Sequence, residues 1–326
     1  MKLLQLPRRD LRRKLAGPGI WIRTGPFSIK VQSCIASVAE GLAELYGQFE
    51  VRSEHETSAD FHVVVNSRIN LRHWPRRQAE FSLNGVRPFQ PLPHDQAFSM
   101  LECGLNWGVS TQTQQYLILP AAVVEKNGLA AILIAPMGVG KSTLTAALVL
   151  SGWRLLSDEF MLINPVTGLI QPIPRPIILK NESISIIRNF SKDVFISRIS
   201  YDSLKKTVAH MRPPRESVRR QHEPARPGWL IFSQWSAQAS AHLTPRPESE
   251  TWKYFDEHLF SAPDLRKDMV PFVKQQLKTI PGFDFVYSQL DQAIEIFNQL
   301  AENSSPHMHH LVSQYADLLT HRQHAV

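Results

Sequence analysis

Residues 134–143 read IAPMGVGKST and follow directly on the apolar run LAAIL. A glycine-rich turn between a strand and a helix exposes several backbone N–H groups toward one point, where the helix N-terminus adds positive potential, so the pocket suits phosphate. Residues 135–142, APMGVGKS, match the phosphate-loop pattern except that Ala135 stands where glycine is commonest. The exception is tolerable because Gly138 and Gly140 still supply unusual dihedrals and close backbone approach. On this reading Ala135, Pro136, Met137, Gly138, Val139, Gly140, Lys141, Ser142 and Thr143 form a phosphate cradle. Lys141 reaches the β- and γ-phosphates, and the Ser142 hydroxyl ligates Mg²⁺.

The acids downstream sharpen the reading. One short helix, STLTAALVLSG, and one short strand, WRLLS, separate Ser142 from Asp158 and Glu159. In most phosphate-loop enzymes the metal-holding acid lies much farther along. Two adjacent carboxylates at a strand end, beside a cation and a triphosphate, can divide the labour. Asp158 accepts the proton of an attacking hydroxyl and also touches the metal, while Glu159 binds the metal.

This compact layout resembles the C-terminal catalytic domain of HPr kinase/phosphorylase, in which a phosphate loop, one helix and one strand lead to a paired acid. AAVVEKNG, GWRLLSDEF, PRPIILKNESI and TVAHMRPP are more closely similar to the HPr-kinase-related kinases called type A. The resemblance spans roughly residues 60–300. It implies an α/β phosphate-loop kinase fold akin to phosphoenolpyruvate carboxykinase, with ATP and Mg²⁺ as cofactors and a hydroxyl, typically of serine, as acceptor. It further implies a peptide or small-protein substrate, a small peptide-chaperone partner and, because HPr kinases form hexamers, a homo-oligomer. Three positions depart from the family: Pro120 stands where HPr kinases have an active-site histidine, Glu159 replaces aspartate, and Lys206 replaces a glycine. Arg175 in PIPRPI takes the place of the family's EIRG arginine.

Phosphoryl transfer needs cations around the migrating group. Lys205, His210 and Arg212 on a long Arg-, Lys- and Pro-rich stretch, with Arg175 and Lys180 after the acids, are the candidates. That stretch, residues 191–227, reads as a partly irregular loop stiffened by Pro213 and Pro214, as suits a substrate lid, with an exposed linker as the alternative.

Patterning along the chain predicts a basic segment over 1–25, an N-terminal α+β module over 26–114, a nucleotide-binding catalytic domain over 115–302, and a tail helix over 303–326. Within the module, FSIKVQSCI and DFHVVVNS read as strands, SVAEGLAELYG as a helix, and Asn84–Gly85 as a hairpin turn. RRDLRRK near the start is read as a solvated or frayed segment. Asn127–Gly128 marks a second hairpin leading into the glycine loop. Trp74, Trp107, Trp153 and Trp229 are expected in the core. HMHH at 307–310, with His321 and His324, lacks the partners of a metal site.

The formal charge of +7 favours an anionic partner, with nucleotide, acidic peptide, RNA and a membrane surface all open. No RNA-binding motif supports nucleic acid, and no window approaches the roughly 20 apolar residues of a membrane span. Two cysteines, Cys34 and Cys103, make no disulfide framework; they are expected as buried thiols in a reducing, cytoplasmic compartment. A nucleotide-binding scaffold without turnover stands as the alternative to a kinase.

Overall fold

In the computed structural model the described residues are 1–52, 59–68, 77–136, 138–201, 206–258, 271, 275, 277 and 280–303. Met137, Lys205, Trp74, most of residues 259–279 and the histidine-bearing tail lie outside them.

The chain opens with α1 (Arg8–Ala16), β1 (Ile20–Thr24), β2 (Phe27–Ser33), α2 (Ala36–Leu45), β3 (Val51–Arg52), β4 (Phe61–Arg68), β5 (Gln78–Leu83), β6 (Leu92–Pro93) and α3 (Ala97–Gln112). Period-two alternation builds the sheet: in β2, Phe27, Ile29, Val31 and Ser33 are buried and the residues between them are half-buried. The strands order as β3-β1-β2-β4-β5-β6, antiparallel except for the β2–β4 pair, which α2 connects. Asn84 and Gly85 both adopt positive φ at the turn after β5, as the Asn-Gly signal predicts.

The basic N-terminal stretch is structured rather than frayed. Its arginines face solvent, but Leu11 and Leu15 recur at i and i+4 and bury into the core against α2 and β2. Residues 1–25 therefore continue the module, since β1 pairs with β2 along its whole length.

The second part contains β7 (Leu117–Pro120), β8 (Ala122–Lys126), β9 (Leu129–Ile134), α4 (Lys141–Leu150), β10 (Arg154–Ser157), β11 (Phe160–Ile163), β12 (Ile170–Gln171), β13 (Ile177–Lys180), α5 (Glu182–Phe190), β14 (Ser200–Tyr201), β15 (Thr207–Met211), α6 (Arg215–Arg219), β16 (Arg226–Trp235), β17 (His242–Pro245), α7 (Glu248–His258), β18 (Gly282–Tyr287) and α8 (Leu290–Glu302). The main sheet orders as β10-β8-β9-β16-β18-β17, with β9, β16 and β18 mutually parallel. β9 is continuously apolar because both of its faces are covered: Ala131 and Leu133 meet α4, while Ile132 and Ile134 pack in the cluster that holds Phe255 of α7. Two three-stranded antiparallel sheets, β12-β11-β7 and β13-β15-β14, complete a mixed α/β architecture.

Both halves of one hairpin-like run change sheets at the same level. β7 pairs with β11 and β8 with β10, so the chain crosses at Ala121 on one side and at Asp158–Glu159 on the other, where Ala121 N–H donates to the Glu159 carbonyl at 3.1 Å. Residues 191–227 depart from the expected lid. Val208, Ala209, His210 and Met211 of β15 are buried and pair with β13, and Pro214 opens α6. Among the described residues no helix is long and apolar enough to cross a membrane.

Candidate active site

The loop after β9 depends on glycine at two points. Gly138 and Gly140 have φ of 89° and 96°, a region that L side chains rarely enter, and a Cβ on Gly140 would also lie 3.1 Å from the Tyr287 hydroxyl. α4 then begins at Lys141, and its first internal bond runs from Leu144 N–H to the Gly140 carbonyl at 3.0 Å. The N–H groups of Lys141, Ser142 and Thr143 thus have no acceptor within the helix. No side chain caps this end and its first turn holds no acid. The helix offers donors and positive potential to an anion from outside, as the sequence predicts.

The acids stand at the same edge of the sheet. β10 runs in the same direction as β9, with antiparallel β8 between them, so Asp158 at its C-terminal end faces the loop. A bulge between Leu155 and Ser157 precedes it. The Ser157 hydroxyl then accepts the Glu159 and Phe160 N–H groups at 3.4 and 3.2 Å, which turns the chain sharply after the carboxylate. At the far end of the strand a buried Arg154–Glu125 ion pair, with Arg154 also donating to the Arg220 and Glu223 carbonyls, pins its register.

Asp158 is 5% exposed, yet neither carboxylate oxygen finds a hydrogen-bond partner. Ser142, Thr145 and the Ile178 N–H face it closely enough to favour its charged form, and Lys141 does so by charge, but burial dominates and raises its pKa. Thr145 meanwhile spends its hydroxyl on the Lys141 carbonyl at 2.8 Å. Glu159 is half-buried, and burial followed by the neighbouring Asp158 charge pushes its pKa up as well. Lys141 bends back so that Nζ donates to the Asp158 carbonyl at 2.5 Å. Loop, lysine and acids are therefore one constellation.

Two cations expected from the sequence lie beside it. Arg175 and Lys180 both act on Glu159 electrostatically. Arg175 is buried and ion-pairs with Glu102 of α3 at 3.5 Å; Glu102 also accepts the Tyr46 hydroxyl at 2.7 Å. The N-terminal module thus holds an arginine of the site. His210 is nearby but is no cation. It is 2% exposed, its ring meets Phe98 edge-on, and burial, with help from Arg175 and Lys180, lowers its pKa to about 4. Arg212 points elsewhere, donating to the Glu44 carbonyl and lying over the Phe195 ring. Pro120 sits opposite Phe160, next to Glu159 at the sheet crossing, and brings no ionisable group.

Sequence reasoning missed Glu102 and Tyr46, whose partner Arg175 lies far along the chain, and Trp235 and Tyr287, which end β16 and β18 beside the loop. Both cysteines, expected as buried, are exposed. Cys103 on α3 is crowded enough for desolvation to raise its thiol pKa, and it feels the charges of Lys180, Glu102, Glu159 and Arg175. Trp153 and Trp229 are buried as expected.

The residues fit a hard divalent cation. Orphaned carboxylate oxygens on Asp158, the Glu159 carboxylate and the Ser142 hydroxyl make an all-oxygen set of the kind Mg²⁺ takes together with phosphate oxygens. Among the described residues no group of three or more His, Cys, Asp or Glu side chains could hold a metal by itself.

No protein-family model matches the chain, and no curated protein matches its sequence. A solved structure of the HPr(Ser) kinase/phosphatase from Coxiella burnetii is similar over 57% of this chain and 94% of that one, at 9% identity and a TM-score of 0.28.

Proposed function

We propose that the chain is an ATP- and Mg²⁺-dependent phosphotransferase that moves the γ-phosphoryl group to a hydroxyl. The observation that carries this reading is the buried, unpartnered Asp158 carboxylate facing the uncapped N-terminus of α4 across Lys141. An anion cradle alone binds phosphate; a desolvated base set against it is what transfer to a hydroxyl requires.

The N–H groups from Gly138 to Thr143 hold the phosphates, and Lys141 leaves the Asp158 carbonyl to reach their β- and γ-oxygens. Ser142, Asp158 and Glu159 would hold Mg²⁺, which would supply charge neutralisation on the migrating group. Asp158 takes the proton of the acceptor hydroxyl as the new O–P bond forms, and the bond between γ-phosphorus and the bridging oxygen breaks to release the diphosphate. Arg175, buried and held by Glu102, contributes positive charge that costs no reorganisation during the step. A Ser or Thr hydroxyl of a peptide or small protein as acceptor, and a peptide-chaperone partner, rest on the sequence resemblance alone.

A nucleotide-binding scaffold is the second reading, favoured by Pro120 beside Glu159, which brings no ionisable side chain to the position where the resembling kinases carry a histidine. The test is incubation of the purified protein with γ-labelled ATP and Mg²⁺, with and without extract of the source cells, against Asp158→Asn and Lys141→Ala. Transfer of label to a discrete species, abolished by both substitutions, supports the phosphotransferase. Tight binding of ATP with no label moved under any condition supports the scaffold.

A further inference from the structure

Seven tryptophans occur in the chain, and Trp235 is the one among the described residues that lies largely open, at 52% exposure, where Trp153 and Trp229 are 2% and 3% exposed. It ends β16, the strand beside β9 on the flank away from β8 and β10. Ile231 of the same strand packs in the cluster of α4, so the alternation places Trp235 on the α4 face. Its parallel partner is Tyr287, whose hydroxyl donates to the Gly140 carbonyl at 3.4 Å. A Cβ on Gly140 would lie 3.6 Å from the Trp235 Cβ, so the side chain is rooted beside the glycine loop.

The ring is also fixed. Its Nε1 donates to the Ser288 carbonyl at 3.2 Å, Ser236 N–H donates to the Tyr287 carbonyl at 2.9 Å, and the Ser288 hydroxyl donates to the Ala239 carbonyl at 2.8 Å. An exposed indole held by its only polar atom presents a fixed, flat apolar face on which a ligand ring can stack.

Reaction geometry says which part of the ligand that is. In phosphoryl transfer the attacking and leaving oxygens lie roughly in line through phosphorus. Asp158 marks the side of the acceptor hydroxyl. The leaving diphosphate and its nucleoside therefore extend the other way, toward the ends of β16 and β18.

We propose that Trp235 is the platform on which the donor's nucleobase stacks, so that the donor is a nucleoside triphosphate rather than a bare polyphosphate. The inference rests on the phosphotransfer reading above and adds the residue that holds the donor's base. Stacking on one indole face reads no base edges, so purine identity matters little.

Calorimetric titration of the full-length protein with Mg·ATP, Mg·GTP and Mg·tripolyphosphate tests this in wild type, Trp235→Ala and Trp235→Phe. The expected result is a loss of roughly tenfold to a hundredfold in ATP and GTP affinity in Trp235→Ala, unchanged tripolyphosphate affinity, and near-complete rescue by Trp235→Phe. Equal weakening of all three ligands in Trp235→Ala would mark a structural tryptophan and overturn the proposal. So would wild-type protein that binds tripolyphosphate as tightly as ATP, which leaves the phosphate cradle standing. Wild-type protein that binds none of the three overturns both readings.

Discussion

An imidazole keeps a proton only where water or a counter-charge stabilises it, and His210 has neither. Phe98 covers one side, and the charged groups that act on it, Arg175 and Lys180, are both positive. With a folded pKa of about 4 against about 6.5 unfolded, the unfolded chain binds a proton that the folded chain refuses throughout that interval. Stability therefore falls as pH drops from 6.5 toward 4. Denaturant titrations at pH 7 and 4.5 are expected to show that His210→Gln loses about 2–3 kcal/mol less than wild type across that interval. Equal losses would place the imidazole in water. The loop glycines, Lys141, Ser142 and the acid pair were legible in the sequence because their spacing is fixed by one turn, one helix and one strand. The charge state of His210 was not, because TVAHM carries no sign that β15 is covered on both faces.

At the scale of elements, α3 brings to the site a carboxylate that no motif marks. Glu102 is 1% exposed and meets both Tyr46, just after α2, and Arg175, in the loop before β13, so three segments of the chain converge on one buried carboxylate. Removing it strands the Arg175 charge in a desolvated position. Glu102→Ala is expected to cost about 3–5 kcal/mol in stability, measured by urea unfolding, while Glu102→Gln, which keeps an acceptor for Tyr46, costs less. A loss below 1 kcal/mol for the alanine variant would show that Arg175 reaches water. The stretch 191–227 was misread for a related reason. Its Arg, Lys and Pro content describes the solvent-facing residues, and the short buried run in β15 is too brief to outweigh them by pattern alone. The Asn127–Gly128 turn was legible because a tight hairpin needs two residues of positive φ, and both have it.

Across the whole molecule the two parts share a core. Ile118, Leu162, Ile173 and Val218 of the second part lie in the same buried cluster as Leu11, Phe27 and Phe81 of the first. Gly25 seals the junction: its N–H donates to the Gln221 side chain at 2.8 Å, and a Cβ there would stand 2.0 Å from the Pro172 carbonyl oxygen. Gly25→Ala is expected to lower stability by about 2–4 kcal/mol, with loss of both parts in one calorimetric transition. Two resolved transitions in wild type would contradict a shared core. That union matters for function, because it is the module that fixes Arg175 beside the acids. The measurement that bears most directly on the account is the rate of γ-phosphoryl transfer by Asp158→Asn, set beside its Mg·ATP affinity. The account predicts transfer reduced by at least about a hundredfold with nucleotide still bound. Transfer at the wild-type rate would contradict it, because the buried carboxylate facing the loop would then not be the base.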